Sequence, residues 1–244
     1  MKQKQWIFLS PHFDDVALSC GGLVWELANQ GDQVEVWTIM AGFPPDEYFS
    51  AFARKNHNDW GKSGREAIQM RREEDKAACG ILGAIPRHFD WPDVIYRKHP
   101  ESGLPVVNNN DELFNEQPEK ALVNSILSNL TEKIPPQARV VLPMGLGGHI
   151  DHRTLVEVGE GLDREKLYYA DYPYILKSFE SPTLTENKYK KIPRFLSPDA
   201  LTAWQEAILS YRSQLAAFWR DDDESRLSLQ NYLAGGGGRL WKKN

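Results

Sequence analysis

Long hydrophobic runs are missing from this chain. No stretch approaches the roughly 18 to 20 apolar residues that a membrane-spanning helix needs. The apolar run that follows Met1-Lys2-Gln3-Lys4-Gln5 is too short for the central region of a signal peptide. Cysteine is scarce: Cys20 and Cys79 are the only two, so no disulfide framework is available. Both fall in predicted helices, and two buried free thiols in a reducing compartment are expected, hence a soluble, cytoplasmic protein. An excess of positive charge is also missing. Lys and Arg total 29 against 34 Asp and Glu, a net charge of -5, and no basic stripe stands out. That argues against a nucleic-acid partner. No internal repeat is visible.

What the chain does contain is a sufficient core, with 41% hydrophobic residues in 244. The length suits one α/β domain over 1–244. Trp6-Ile7-Phe8-Leu9 reads as a strand within residues 5–9, Val16–Asn29 as a helix closed by Gly31, and Val34–Met40 as an alternating, β-rich second strand. Strand, helix, strand implies a parallel sheet. The expected architecture is a Rossmann-like, mostly parallel sheet flanked by helices. Gly21-Gly22 does not match Gly-x-Gly-x-x-Gly and lies inside the helix, so close packing of helix on sheet explains it better than a nucleotide loop. Residues 41–62 read as a long connection able to form one wall of a pocket, and 64–82 as a charged helix. Arg87–Trp91 is a third strand, 92–117 a second long insertion, and 118–131 a helix with Pro118 at its first position. Strands at 139–142 and 167–170 flank a helix over 152–162. Residues 178–197 look extended, in hairpin fashion. Pro198–Trp219 reads as one amphipathic helix, with Leu201, Trp204, Ile208, Tyr211, Leu215 and Phe218 at helical spacing. Asp221–Glu224 reads as an acidic surface turn, Gly235–Gly238 as a flexible run, and the Lys-Lys-Asn end as loose.

The chemistry concentrates in two clusters, each just past a strand, on the rim where ligands bind in open α/β sheets. The first is Ser10-Pro11-His12-Phe13-Asp14-Asp15. In a helical turn His12 and Asp15 face the same way, and Asp14 points elsewhere. One His and one Asp can then grip a metal while the second Asp stays free for proton transfer. The second is His149-Ile150-Asp151-His152, after Val140-Val141-Leu142 and a Gly-rich turn. Together the clusters offer His12, Asp15 and His152 as a three-ligand site with an open position, the plan of a catalytic zinc centre. Taken singly, His-x-x-His is usually incidental and Asp-Asp is more often a helix cap; it is the pair of clusters that favours a metal.

Pro-His-x-Asp-Asp after the first strand, Gly-Gly soon after, and His-x-Asp-His late in the chain resemble the PIG-L/LmbE family of zinc-dependent de-N-acetylases. Met70-Arg71-Arg72-Glu73-Glu74 leading to Ile81-Leu82-Gly83 resembles the family's Arg-x-x-Glu helix, and Phe89-Asp90-Trp91-Pro92-Asp93 its following strand and Pro-Asp turn. The likeness covers most of residues 5–175. It departs from Ala-His-Pro-Asp-Asp-Glu at three places, where Ser10, Phe13 and Val16 replace Ala, Pro and Glu.

The resemblance implies one Zn2+ per chain, or another divalent metal, on His12, Asp15 and His152. Asp14 would be the general base, with His149 a donor to the oxyanion or the departing amine and Asp151 the group that orients an imidazole. Arg71 and Asp93 would contact substrate, although an intrahelical pair of Arg71 with Glu74 or Asp75 is an equal alternative. The implied substrate is a small-molecule N-acetylated amino sugar or its conjugate, deacetylated to a free amine and acetate. Two other classes compete: a zinc hydrolase of another acyl or ester substrate on the same scaffold, and a non-catalytic sugar- or metal-binding protein. Exposed aromatics in the two insertions suit a homo-oligomer interface as well as a pocket.

Overall fold

In the computed structural model, which describes residues 3–178, 188–193 and 195–244, the chain alternates strands and helices from its first strand onward. β1 (Gln5–Ser10) leads into α1 (Asp15–Asn29) and β2 (Gln33–Thr38). There follow α2 (Ala51–Trp60), α3 (Gly64–Ile81), β3 (Ile85–His88), a 3-10 turn (Val94–Tyr96), α4 (Asn110–Asn115) and α5 (Lys120–Lys133). Then come β4 (Arg139–Pro143), α6 (Ile150–Gly161), β5 (Glu165–Tyr169), α7 (Tyr174–Ser178) and β6 (Tyr189–Ile192). The described chain ends with α8 (Pro198–Leu209), α9 (Arg212–Phe218), α10 (Asp222–Ala234) and β7 (Leu240–Lys243).

The seven strands form one sheet in the order β3-β2-β1-β4-β5-β7-β6. The first five are parallel, and β7 and β6 close the far edge antiparallel. β1 is buried on both faces, as a central parallel strand requires: Trp6 and Phe8 join one core cluster, Ile7 and Leu9 the other. From β1 the chain winds outward through β2 to β3, then crosses back to β4 on β1's other side. The strand order therefore reverses between β1 and β4, and their C-terminal ends open a crevice there. Both sequence clusters sit at that crevice.

Several expectations change. The connection 41–62 contains α2, begun by Ser50, whose side chain accepts from Ala53 N (3.0 Å), and ended by Gly61 at φ 71°. β3 covers 85–88 rather than 87–91. Pro118 lies outside α5, because Glu119 is the cap and its carboxylate is held by Arg97 at 2.8 Å. The expected single helix 198–219 is two, broken where Tyr211 adopts φ −86°, ψ 56°. The acidic stretch is the first turn of α10, where Asp221 accepts from Glu224 N and negative charge favours the helix start. Lys242 and Lys243 are not loose. They belong to β7, anchored by buried Leu240 and Trp241. Of the extended stretch 178–197, β6 is described, while 179–187 and 194 lie outside the described residues.

Gly21 and Gly22 do serve close packing, but against a helix rather than the sheet. A Cβ on either would come within 2.6 Å and 2.8 Å of the Trp204 ring on α8. α1 kinks at Cys20 (φ −154°, ψ 26°), and Trp204 Nε1 donates to Ala17 O on the same turn.

Candidate metal centre and active-site cavity

The loop after β1 is shaped by its own polar groups. Ser10 Oγ accepts from Val16 N at 3.3 Å, so a serine takes part in starting α1. Asp14 occupies the cap position of that helix but makes no side-chain capping bond. Its carboxylate is left to face a cavity of about 570 Å³. Phe13 is buried, edge-on to His88 at 5.3 Å, and Val16 is buried in the core, so two of the three departures from the motif are apolar packing positions.

On the cavity floor His12 Nδ1 lies 3.3 Å from Asp15 Oδ2, and His152 Nε2 lies 3.4 Å from Asp15 Oδ1. Each of the three side chains offers one ligand atom, and these atoms lie within 4.8 Å of one another. His12, His149 and Asp151 satisfy the same spacing, but both Asp151 oxygens are already engaged, by His12 and Val94 N on one side and Arg97 on the other. The first set is therefore the better centre.

What lies behind these candidate ligands fits a metal. His152 Nδ1 is 2.7 Å from Asp171 Oδ1, leaving Nε2 free to ligate, and His12 Nε2 is 3.1 Å from Asp151 Oδ2, leaving Nδ1 free. An imidazole whose second nitrogen is tied to a carboxylate is the usual arrangement of a metal-bound histidine. Asp151, fully buried, is held in turn by Arg97 Nη2 at 2.7 Å and Val94 N at 3.1 Å. Electrostatics agree. Burial alone would depress His12, but Asp93, Asp15 and Asp151 outweigh it and raise its pKa well above the ordinary value. Burial is likewise overcome at His152 by Asp15 and Asp171. Burial would raise Asp15, but His152 and His12 pull it well below the carboxylate range. The field at this point favours positive charge.

The remaining candidates surround that centre. Burial raises the pKa of Asp14, and Arg71, whose Nη2 is 3.6 Å from Asp14 Oδ1, pulls it back. The Arg71 guanidinium stacks on Trp60 (4.8 Å) and Phe13 (5.2 Å), and its buried Nε has no partner. Its ion-pair partner is thus Asp14, not Glu74 or Asp75, which are engaged elsewhere. His149 caps α6: its Nδ1 accepts from Asp151 N at 3.2 Å, so its proton sits on Nε2. Burial, then His12 and His152, press its pKa well below the ordinary value, so the ring is neutral. Asp93 lines the cavity, with Oδ2 3.7 Å from His12 Nε2 and Oδ1 accepting from Ile95 N. Asp151 alone among the sequence candidates stands behind the site rather than in it.

Sequence reasoning missed Asp171 and Arg97. Asp171 had a local signal, an acid directly past β5 on the same rim. Arg97 had none, being an arginine in an insertion.

The PIG-L family profile, described as GlcNAc-PI de-N-acetylase, matches residues 7–161. A 2′-N-acetylparomamine deacetylase of Niallia circulans is 26% identical over 251 residues, covering 93% of this chain and 86% of that protein. Among solved structures, a deacetylase of the teicoplanin biosynthesis pathway superposes with a TM-score of 0.80 at 25% identity, covering 99% of both chains. The deacetylase of the A40926 pseudoaglycone gives 0.70 at 26%, covering 98% of this chain and 96% of the other. Among the described residues no helix is long and apolar enough to cross a membrane.

Proposed function

This chain belongs to the PIG-L family, and from that premise we propose that it is a zinc-dependent hydrolase of an N-acetylglucosamine-type amino sugar or its conjugate, releasing acetate and a free amine. The observation that carries the reading is the convergence of His12 Nδ1, Asp15 and His152 Nε2 beside Asp14, a cavity-facing carboxylate that makes no capping bond. The relatives' substrates, N-acetylparomamine among them, support the substrate class.

His12, Asp15 and His152 would hold the metal, and two nitrogens with one carboxylate and an open side suit catalytic zinc. When bound there, such an ion lowers the pKa of water and polarises an acyl carbonyl. The chain supplies the proton transfers. Asp14 accepts the proton of the attacking water as the new C–O bond forms. His149, neutral and protonated on Nε2, donates a hydrogen bond to the oxyanion. As the C–N bond breaks, Asp14 returns its proton to the nitrogen, and acetate and the amine leave. Arg71 opposes the rise that burial imposes on the Asp14 pKa and offers guanidinium N–H groups to the sugar. Asp93 accepts from sugar hydroxyls. Asp151 and Asp171 are positioning residues, each fixing one imidazole.

The test is a release assay on the zinc-loaded protein with a panel of N-acetylglucosamine derivatives. Acetate and amine release abolished by a chelator and restored by zinc is expected. Full metal binding with no release from any member would sink the reading.

A further inference from the structure

α9 lies beyond the span matched by the family profile, yet it forms one wall of the cavity, facing α2. Its position is set from α3. Tyr211 Oη donates to fully buried Asp75 at 2.7 Å, and Glu74 holds Ser213 twice: Oε1 accepts from Ser213 N (2.8 Å), and Oε2 accepts from Ser213 Oγ (2.6 Å).

The second of those bonds fixes the polarity of a third group. Ser213 has one hydroxyl proton, and Glu74 takes it. Ser213 Oγ can therefore only accept from its neighbour Gln214, 2.8 Å away, so that contact must be made by Gln214 Nε2. Gln214, 8% exposed, lines the cavity, and its carbonyl oxygen, which takes no part in that bond, remains as an acceptor beside the second N–H of the same amide. Across the cavity Asn56 is fixed in the same sense: its Nδ2 donates to Phe52 O, a pure acceptor, at 2.9 Å, which leaves Oδ1 as an acceptor beside the other N–H. Asp59 lines the same wall. Among the described residues, the cavity is lined by four aspartates and, apart from the three histidines of its floor, by one basic side chain, Arg71, already paired with Asp14.

We infer that the α2–α9 end of the cavity is a subsite for a ring attached to the amino sugar that bears hydrogen-bond donors, hydroxyl and ammonium groups, and that Glu74 is the positioning residue that makes it so by orienting Gln214 through Ser213. A phosphate-bearing attachment meets the two amide oxygens and Asp59 there, whose Oδ2 is paired with Lys55 Nζ at 3.0 Å, and is disfavoured. The inference rests on the deacetylase reading for what occupies the inner half of the cavity.

Glu74→Gln tests the relay. The new amide can still accept from Ser213 N, but it donates to Ser213 Oγ. The serine proton is then released to Gln214, whose amide rotates so that its carbonyl oxygen accepts it and its NH2 group faces the cavity. Adding Gln214→Glu restores an acceptor whatever the relay does. Three readouts apply to zinc-loaded protein: melting temperature, paromamine binding by calorimetry, and kcat/KM for 2′-N-acetylparomamine against uridine diphosphate N-acetylglucosamine.

Wild type is expected to favour the ammonium-bearing substrate. E74Q should lower that preference about tenfold or more, the worth of one hydrogen bond to a charged group, mostly through KM, and weaken paromamine binding in parallel. E74Q/Q214E should restore both. Should E74Q fold poorly, Gln214→Ala reports the same loss without touching α3. An unchanged preference in E74Q or Q214A, or a double variant that stays at the E74Q value, overturns the inference. Paromamine binding that E74Q weakens, with no acetate released from any substrate, would overturn the deacetylase reading and leave the subsite standing.

Discussion

Asp151 sits between His149 and His152 in the chain, yet its Oδ2 lies 3.1 Å from His12 Nε2, 139 residues away. The middle acid of the second cluster orients the histidine of the first. The two motifs are thereby one device: β1 and β4 are neighbours in the sheet, so the loops after them can be wired together. Behind Asp151 stands Arg97, itself paired with Glu119. Asp151→Asn should weaken zinc binding about 10- to 100-fold, the usual cost of losing a partner that orients a ligand histidine. It should also destabilise the fold by about 3 kcal/mol, because buried Arg97 loses its counter-charge. Competition with a chromophoric chelator measures the first and denaturant unfolding the second. Metal affinity equal to wild type would show that His12 does not need this acid.

Asp14→Asn tests the proposed division between base and metal ligands. The side chain keeps its size and makes no capping bond in the native protein, so zinc stoichiometry should hold, while buried Arg71 loses the carboxylate it is paired with and stability should fall. Turnover should fall by about 10²- to 10⁴-fold, the range for loss of a general base. Zinc content by elemental analysis beside kcat decides it. Loss of zinc with the activity would make Asp14 a ligand instead.

Arg71 counters the effect of burial on Asp14. Burial raises the Asp14 pKa and the guanidinium opposes that rise. Removing the cation in Arg71→Met therefore sends the pKa higher still. The base proposed above works only when ionised, so the acid limb of kcat/KM should move to higher pH, and activity near neutrality should fall more than activity at alkaline pH. A pH–rate profile that keeps its acid limb in place would detach Arg71 from Asp14 and leave it a substrate contact alone.

The legible parts of this molecule were those encoded locally. β1 with its His and paired carboxylates, β4 with its His-x-Asp-His, and the order of β1 to β5 with α1, α3, α5 and α6 between them can all be read from short stretches. What escaped depends on distant partners. Periodicity ran through the α8–α9 break without interruption, since Leu215 and Phe218 keep helical spacing. The break comes instead with Tyr211 and Ser213 held by Asp75 and Glu74, 136 and 139 residues away. Arg97 is invisible for the same reason, its partner Asp151 being 54 residues on. α2 is a different case. Its cap Ser50 and terminator Gly61 were in plain view, but the polar stretch between them carried too weak an apolar pattern to be read as a helix.

Two helical glycines should respond oppositely to the same substitution. In general, Gly→Ala inside a helix gains about 1 kcal/mol from the unfolded chain's lost freedom and the better propensity. Gly80, in α3, has nothing within 4 Å of where a Cβ would stand, so Gly80→Ala should show that gain. Gly21, in α1, has Trp204 Cδ1 at 2.6 Å and Nε1 at 3.0 Å from the same point. Trp204 is fully buried and its Nε1 is bonded to Ala17 O, so the ring cannot retreat without losing that bond. Overpacking of this kind costs about 1 to 3 kcal/mol, enough to cancel or reverse the helical gain. Gly80→Ala should therefore raise the melting temperature by about 2 to 4 °C, and Gly21→Ala should lower it or at best leave it level. An equal rise in both would mean that α8 is free to move away from α1, and that the Gly-Gly pair is not what lets the two helices meet.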